Sequence, residues 1–171
     1  MKEIPGYDIV IGTNDTSHFV HEANSKKSET IPLRDFFENT ERKRKWSIVN
    51  PGFVLGNAYM YFVYGQEKGL LNDFSIDAFL SNIIITEDKS KYDDCIDKSD
   101  YLKRRLRNSL AHCRYRIEIR SKSQIIENDG DVWFVFSDSN KGKDKITFEM
   151  SFPTFGNLIE KAGQHTLNNL R

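Results

Sequence analysis

Apolar positions along the chain fall into blocks whose spacing is first helical, then alternating, then helical again. Residues 1–30 carry one short strand-like stretch, Tyr7-Asp-Ile-Val-Ile11, among polar loop signals such as Asn24-Ser-Lys-Lys-Ser28, and are predicted to form an irregular arm. From Thr30, Pro32 near a first helical position and then Leu33, Phe36, Phe37 and Thr40 predict a helix to about residue 45. Pro51 opens a second helix, whose Val54, Leu55, Ala58, Tyr59, Phe62 and Val63 make it the expected central helix until Gly65 or Gly69 stops it. A third is expected over residues 72–85, although Ile83-Ile84-Ile85-Thr86 equally fits a short strand. The best-patterned helix runs over 99–116, with Ser99 as cap and Asp100 at its positive end. After Tyr115 the period becomes two: Ile117 and Ile119, then Val132-Trp-Phe-Val-Phe136, then Ile146, Phe148 and Met150, with turns at Asn128-Asp-Gly130 and Gly142. Pro153 starts a final helix bearing Phe155, Leu158, Ile159, Ala162 and Leu167. The expected fold is mainly α: an antiparallel helical bundle over 30–116, a small antiparallel sheet of two or three strands over 117–152, and a terminal helix over 153–170, within one domain.

Composition narrows the function classes. The 171 residues suffice for one ordinary domain, and 38% hydrophobic residues with 12 Phe and 7 Tyr exclude a wholly disordered chain. Lys+Arg and Asp+Glu are both 25, so any nucleic-acid argument must come from local charge. The longest apolar run, Phe53 to Gly65, is interrupted by Gly56 and Asn57 and falls short of the roughly 20 residues that cross a bilayer, so no membrane partner is expected. The first residues lack the apolar region of a secretory signal, and Cys95 and Cys113 form no CxxC pair. A cytoplasmic, reduced protein without disulfides is expected.

The chemistry concentrates on one helix. Placed on a wheel, Leu102, Leu106, Leu110, Cys113 and Ile117 share an arc of about 80° that faces the core. Arg107, Asn108 and His112 fall on the other side, with Arg104, Arg105, Arg114 and Tyr115 around them. Eight basic residues lie between Lys98 and Arg120 against Asp100 and Glu118, the one dense cationic segment of a neutral chain. A guanidinium binds phosphate oxygens as a bidentate fork and stabilises charge that grows in a transition state. A histidine, titrating near neutrality, accepts a proton from a ribose 2′-hydroxyl or returns one to a leaving 5′-oxygen. An asparagine one turn away orients the ring or the substrate. This set requires no metal or other cofactor.

Arg107-Asn-Ser-Leu-Ala-His112 resembles the R-x4-6-H motif of the HEPN superfamily, with its polar residue after the arginine. The longer string Arg105-Leu-Arg-Asn-Ser-Leu-Ala-His-Cys-Arg114, followed by strands, is similar to a plasmid- and phage-conflict-associated subgroup of HEPN proteins. The resemblance implies a helical-bundle homodimer in which Arg and His of both subunits line one cleft and cleave RNA without metal, leaving a cyclic phosphate, in bacterial defence or toxin-like regulation. It maps catalysis onto Arg107, Asn108 and His112. Arg104, Arg105, Arg114 and Tyr115 are candidate RNA contacts, the tyrosine by stacking on a base. HEPN toxins silenced by a nucleotidyltransferase carry His-x-Tyr, whereas this chain has His112-Cys-Arg-Tyr115, one residue longer, so an antitoxin or regulatory partner of that kind does not follow from the motif. Many HEPN domains are non-catalytic, which makes an RNA- or protein-binding module the alternative.

Other features read more plainly. His18 and His21 with Glu22 lack further placed ligands for a metal-dependent hydrolase. Arg42-Lys-Arg-Lys45 reads as a solvated helix end, and His165 as a surface residue. No glycine-rich phosphate loop is present.

Overall fold

A computed structural model describes residues 51–89, 97–121, 129–140 and 144–169. The arm over 1–30, the helix over 30–45, and the residues His18, His21, Glu22, Arg42–Lys45 and Cys95 lie outside them. The chain divides into two compact units, Met1–Asn57 and Ala58–Arg171. Of the first, the described part is the opening of helix α1 (Pro51–Ala58), where the Asn57 amide donates to the carbonyl of Phe53 at 3.2 Å.

Helix α1 runs on into a π-helical segment, Tyr59–Gly65. Phe62 and Val63 are buried while Tyr59, Met60 and Tyr64 are exposed, so this segment is one-sided rather than wrapped by the core. The helical turn that continues from it terminates at Gly69: with φ at 73°, the amide of Leu70 returns to the carbonyl of Gly65 (2.9 Å) and that of Gly69 to Gln66 (3.0 Å), a Schellman termination that glycine favours.

The helix expected over 72–85 is replaced by a turn, a 3₁₀ segment at Asp77–Asn82, and strand β1 (Ile84–Asp88). β-branched Ile84, Ile85 and Thr86 suit a pleated ladder better than a helix end. Helix α2 (Lys98–Ala111) is capped by Asp97, whose side chain accepts from the amide of Asp100 at 3.1 Å. Ser99 is not the cap; it is buried, and its hydroxyl accepts from the amide of Ile76 at 2.7 Å. α2 stops five residues before its expected end, and Tyr115 and Arg116 belong to β2 (Tyr115–Ile119). β3 (Val132–Asn140) and β4 (Asp144–Ser151) follow, then α3 (Phe152–Asn169).

The four strands form one antiparallel sheet in the order β1-β4-β3-β2. The expected mainly α bundle with a small appended sheet is therefore overturned among the described residues: they form an α+β layer in which β1, left open in the sequence between a helix end and a short strand, completes a four-stranded sheet against α2 and α3. Alternation sends Phe134, Phe136, Ile146, Phe148 and Met150 to the helix-facing side. There Phe155 of α3 seats against Phe134 and Phe136, ring centres 4.8 and 5.1 Å apart. Each such ring contributes about 1.5–3 kcal/mol on burial. α3 buries Phe155, Leu158, Ile159, Ala162, Gly163 and Thr166 along one stripe. Gly163 matters because a Cβ there would lie 3.0 Å from the Tyr61 ring.

On the opposite face Arg120 lies over the Trp133 ring at 4.6 Å and donates to Glu149 (2.8 and 2.7 Å) and Glu118 (2.6 Å). Arg120 holds the carboxyls of Glu118 and Glu149 below their ordinary value. Among the described residues no helix is long and apolar enough to cross a membrane.

Candidate functional site

The site is built where α2 ends. His112 is the cap residue, and Cys113 after it takes φ 50°, the left-handed region that glycine usually occupies. The amide of Arg114 bonds the carbonyl of Ser109 (2.8 Å), that of Cys113 bonds Leu110 (3.1 Å), and that of His112 bonds Asn108 (3.1 Å). This is the same termination seen at Gly69, made here with a cysteine. It exposes His112 at the helix end and turns the chain directly into β2. The carbonyl of Arg114 then accepts from the amide of Ser137, tying the turn to β3.

Beside this turn opens a polar cleft of about 540 Å³, walled by Arg104, Asn108, His112, Arg114 and Ser139 over a floor of Arg105, Asp138 and Asp144. Arg105 is 6% exposed: one terminal nitrogen donates to Asp138 (2.9 Å), the other to both oxygens of Asp144 (2.6 Å each). Burial works against its charge, but the bonds to Asp144 and Asp138 outweigh burial and hold its pKa above the ordinary value. Arg114 is half exposed, donating to the carbonyl of Ser139 (2.9 Å) and standing 3.5 Å from Asp138. Arg104 is exposed, its guanidinium 5.9 Å from the Tyr101 ring centre, and also borders a second cleft of about 330 Å³ lined by Gln66, Asn72 and Lys103.

Arg107 is not on the cleft wall. Its guanidinium donates to Glu67 (2.8 Å) and to Oδ1 of Asn108 (3.1 Å). Nδ2 of the same Asn108 donates to Asp138 at 3.1 Å. Asn108 thus stands between Arg107 on one side and the cleft floor on the other. Tyr115 is half-buried on β2 opposite Phe136, and is not among the residues lining the cleft.

The sequence suggested one continuous cationic surface; the fold divides it. Lys103 is buried, donating to the carbonyls of Leu71 (3.2 Å) and Phe74 (2.7 Å) and pairing with Asp100 (2.9 Å). Arg116 and Arg120 pair with carboxylates on the far face of the sheet. The cleft itself sets three arginines against two aspartates. Sequence reasoning missed Asp138, Asp144, Ser139 and Glu67. A signal for Asp138 was available: Phe134, Phe136 and position 138 share one strand face, and a charge there breaks an otherwise apolar alternation. His165, expected on the surface, is half-buried, packing against Phe74 (ring centres 5.4 Å) and sharing a hydrogen bond with Asn169. No group of three or more His, Cys, Asp or Glu among the described residues is placed to hold a metal ion.

No curated protein and no solved structure matches this chain. A family model described as HEPN pEK499 p136 matches residues 11–170, nearly the whole length. The helix end bearing Arg107, Asn108 and His112 lies within that match, and the chain belongs to the HEPN pEK499 p136 family.

Proposed function

We propose that this chain acts on RNA as a metal-independent endoribonuclease, with His112 as proton-transfer group, Arg107 as phosphate-directed group and Asn108 as an orienting group. The observation that carries the reading is that His112 and Asn108 share a cleft wall with Arg104 and Arg114, so a proton-transfer group and guanidinium forks meet around one space. In that space His112 takes the proton of a ribose 2′-hydroxyl as its oxygen attacks the adjacent phosphorus. The bond to the 5′-oxygen breaks, and the products are a 2′,3′-cyclic phosphate and a 5′-hydroxyl that takes up a proton. Guanidinium groups offset the charge that builds on the phosphoryl oxygens. A homodimer would bring a second His112, so that one imidazole accepts a proton while the other donates. The expected setting is bacterial defence or toxin-like regulation, with an antitoxin or other regulatory protein as a further candidate partner.

Cleavage of single-stranded and structured RNA in EDTA tests this directly. Cleavage should persist in chelator, leave cyclic phosphate ends, and fall by about 10²–10⁴-fold in His112→Ala. Equal rates in His112→Ala and the parent would refute the assignment.

One observation favours a second reading, a non-catalytic HEPN module that binds RNA. Arg107 is engaged with Glu67 rather than with the cleft. This reading expects RNA binding with a marked salt dependence and no cleavage by either protein.

A further inference from the structure

We infer that Asp138 is a positioning residue for the Arg107–Asn108–His112 site: a buried carboxylate, supplied by the sheet rather than by the motif helix, that fixes the amide of Asn108 and through it the guanidinium of Arg107. The inference rests on the nuclease reading for its consequence in catalysis, but not for its geometry.

Asp138 occupies a core-facing position of β3, in line with Phe134 and Phe136, and is only 4% exposed. A carboxylate there is costly unless its oxygens are filled, and an apolar side chain would serve packing at least as well. Neutralising Arg105 does not by itself account for it, because Asp144 already accepts two bonds from that guanidinium. What Asp138 adds is the junction: Oδ2 takes Nη1 of Arg105 (2.9 Å) and Nδ2 of Asn108 (3.1 Å), while Oδ1 faces Arg114 (3.5 Å). Every one of these neighbours is a donor.

The consequence for Asn108 is a fixed orientation. A carboxylate only accepts and a guanidinium only donates, so Nδ2 must face Asp138 and Oδ1 must face Arg107. Turning the amide over would break both bonds and set N–H against N–H. Oδ1 then holds Nη1 of Arg107 (3.1 Å), leaving Nη2, now on the exposed carboxylate of Glu67, as the nitrogen that can exchange that partner for a phosphate oxygen. Asp138 touches no substrate in this scheme; it acts through Asn108.

Asp138→Asn keeps the shape but offers an amide to three donors. The test reads the side-chain amide resonances of Asn108, identified by their loss in Asn108→Asp, together with kcat, KM and the thermal midpoint. In the parent, the Asn108 amide protons should exchange with solvent more slowly than those of exposed Asn side chains. In Asp138→Asn the resonances should move and kcat should fall about tenfold or more, with KM changed less than about threefold. Adding Asp138→Asn to Asn108→Ala should cause no further loss of kcat. Unshifted Asn108 resonances, or losses that multiply in the double variant, would overturn the inference. If Asp138→Asn does not fold, proton exchange in the parent decides: rapid, solvent-like exchange of the Asn108 amide refutes it. If the parent cleaves no RNA, the nuclease reading fails on its own, and the Asn108 resonances still decide whether Asp138 positions this site.

Discussion

Arg107 reaches Glu67, forty positions earlier in the chain, with a nitrogen-to-oxygen distance of 2.8 Å. Both side chains are substantially exposed, 32% and 55%, so the pair contributes no more than about 1 kcal/mol. A phosphate can displace Glu67 at small expense. Glu67→Gln should leave the thermal midpoint nearly unchanged and strengthen RNA binding about two- to fivefold at low salt, an advantage that fades as salt rises. Fluorescence anisotropy against an RNA oligonucleotide at two salt concentrations measures it. Weaker binding in the variant would show that Glu67 orients Arg107 rather than competing for it.

Arg104 and Arg105 are adjacent in sequence and opposite in consequence. Arg105→Ala leaves Asp138 and Asp144 without their principal cation beneath the cleft and should destabilise by about 3–5 kcal/mol. Arg104→Ala, on an exposed side chain, should change stability by less than about 0.5 kcal/mol and reduce only RNA affinity and its salt slope. Urea unfolding curves separate the two.

The helix glycines of α3 give a matched contrast. Nothing lies within 4 Å of a Cβ at Gly156, so Gly156→Ala should stabilise by about 0.5–1 kcal/mol through helix propensity and reduced freedom of the unfolded chain. At Gly163 the same change meets the Tyr61 ring at 3.0 Å, and overpacking of about 1–3 kcal/mol should outweigh the gain. Thermal midpoints should move in opposite directions.

Stability should respond to acid through the far face of the sheet. Arg120 holds Glu149 and Glu118 below their ordinary value of 4.5 in the folded state. A carboxyl with a depressed folded pKa contributes fully above its unfolded pKa and loses that contribution as pH falls through the folded one. Stability should thus be level with respect to these groups above about pH 5.5 and decline below 4.5, and Glu149→Gln should flatten part of that decline while lowering the plateau. Denaturant titrations at several pH values report both effects.

The sequence pattern made α2, α3 and the β3–β4 pairing legible, because a period of 3.6 runs through Leu102–Leu110 and Phe155–Ala162, a period of 2 through Ile146–Met150, and Val132–Phe136 is a short, wholly apolar run after a turn signal. It left β1 open, because three consecutive isoleucines carry no period to choose between helix and strand. It failed at the end of α2, because Cys113 and Ile117 fall on the helical stripe by coincidence of angle. A left-handed cysteine is not a signal that residue type provides, since glycine or asparagine is the usual choice there. The candidate motif residues were proposed from their place on one helix, the arginines around them and the resemblance of Arg107-Asn-Ser-Leu-Ala-His112 to a known motif. Their carboxylate partners were not, because Asp138 and Asp144 come from strands whose register only the assembled sheet defines.

The termination at Cys113 leaves three residues, His112 to Arg114, between the motif helix and β2. During synthesis this segment emerges complete, with Arg107, Asn108 and His112 all present, well before the hairpin that carries Asp138 and Asp144. A chain interrupted after β2 would hold the entire motif and neither aspartate of the cleft floor, Arg105 left to water. On the nuclease reading, competence arrives with the last quarter of the chain, and a truncated product that still carries the recognisable motif should be inert.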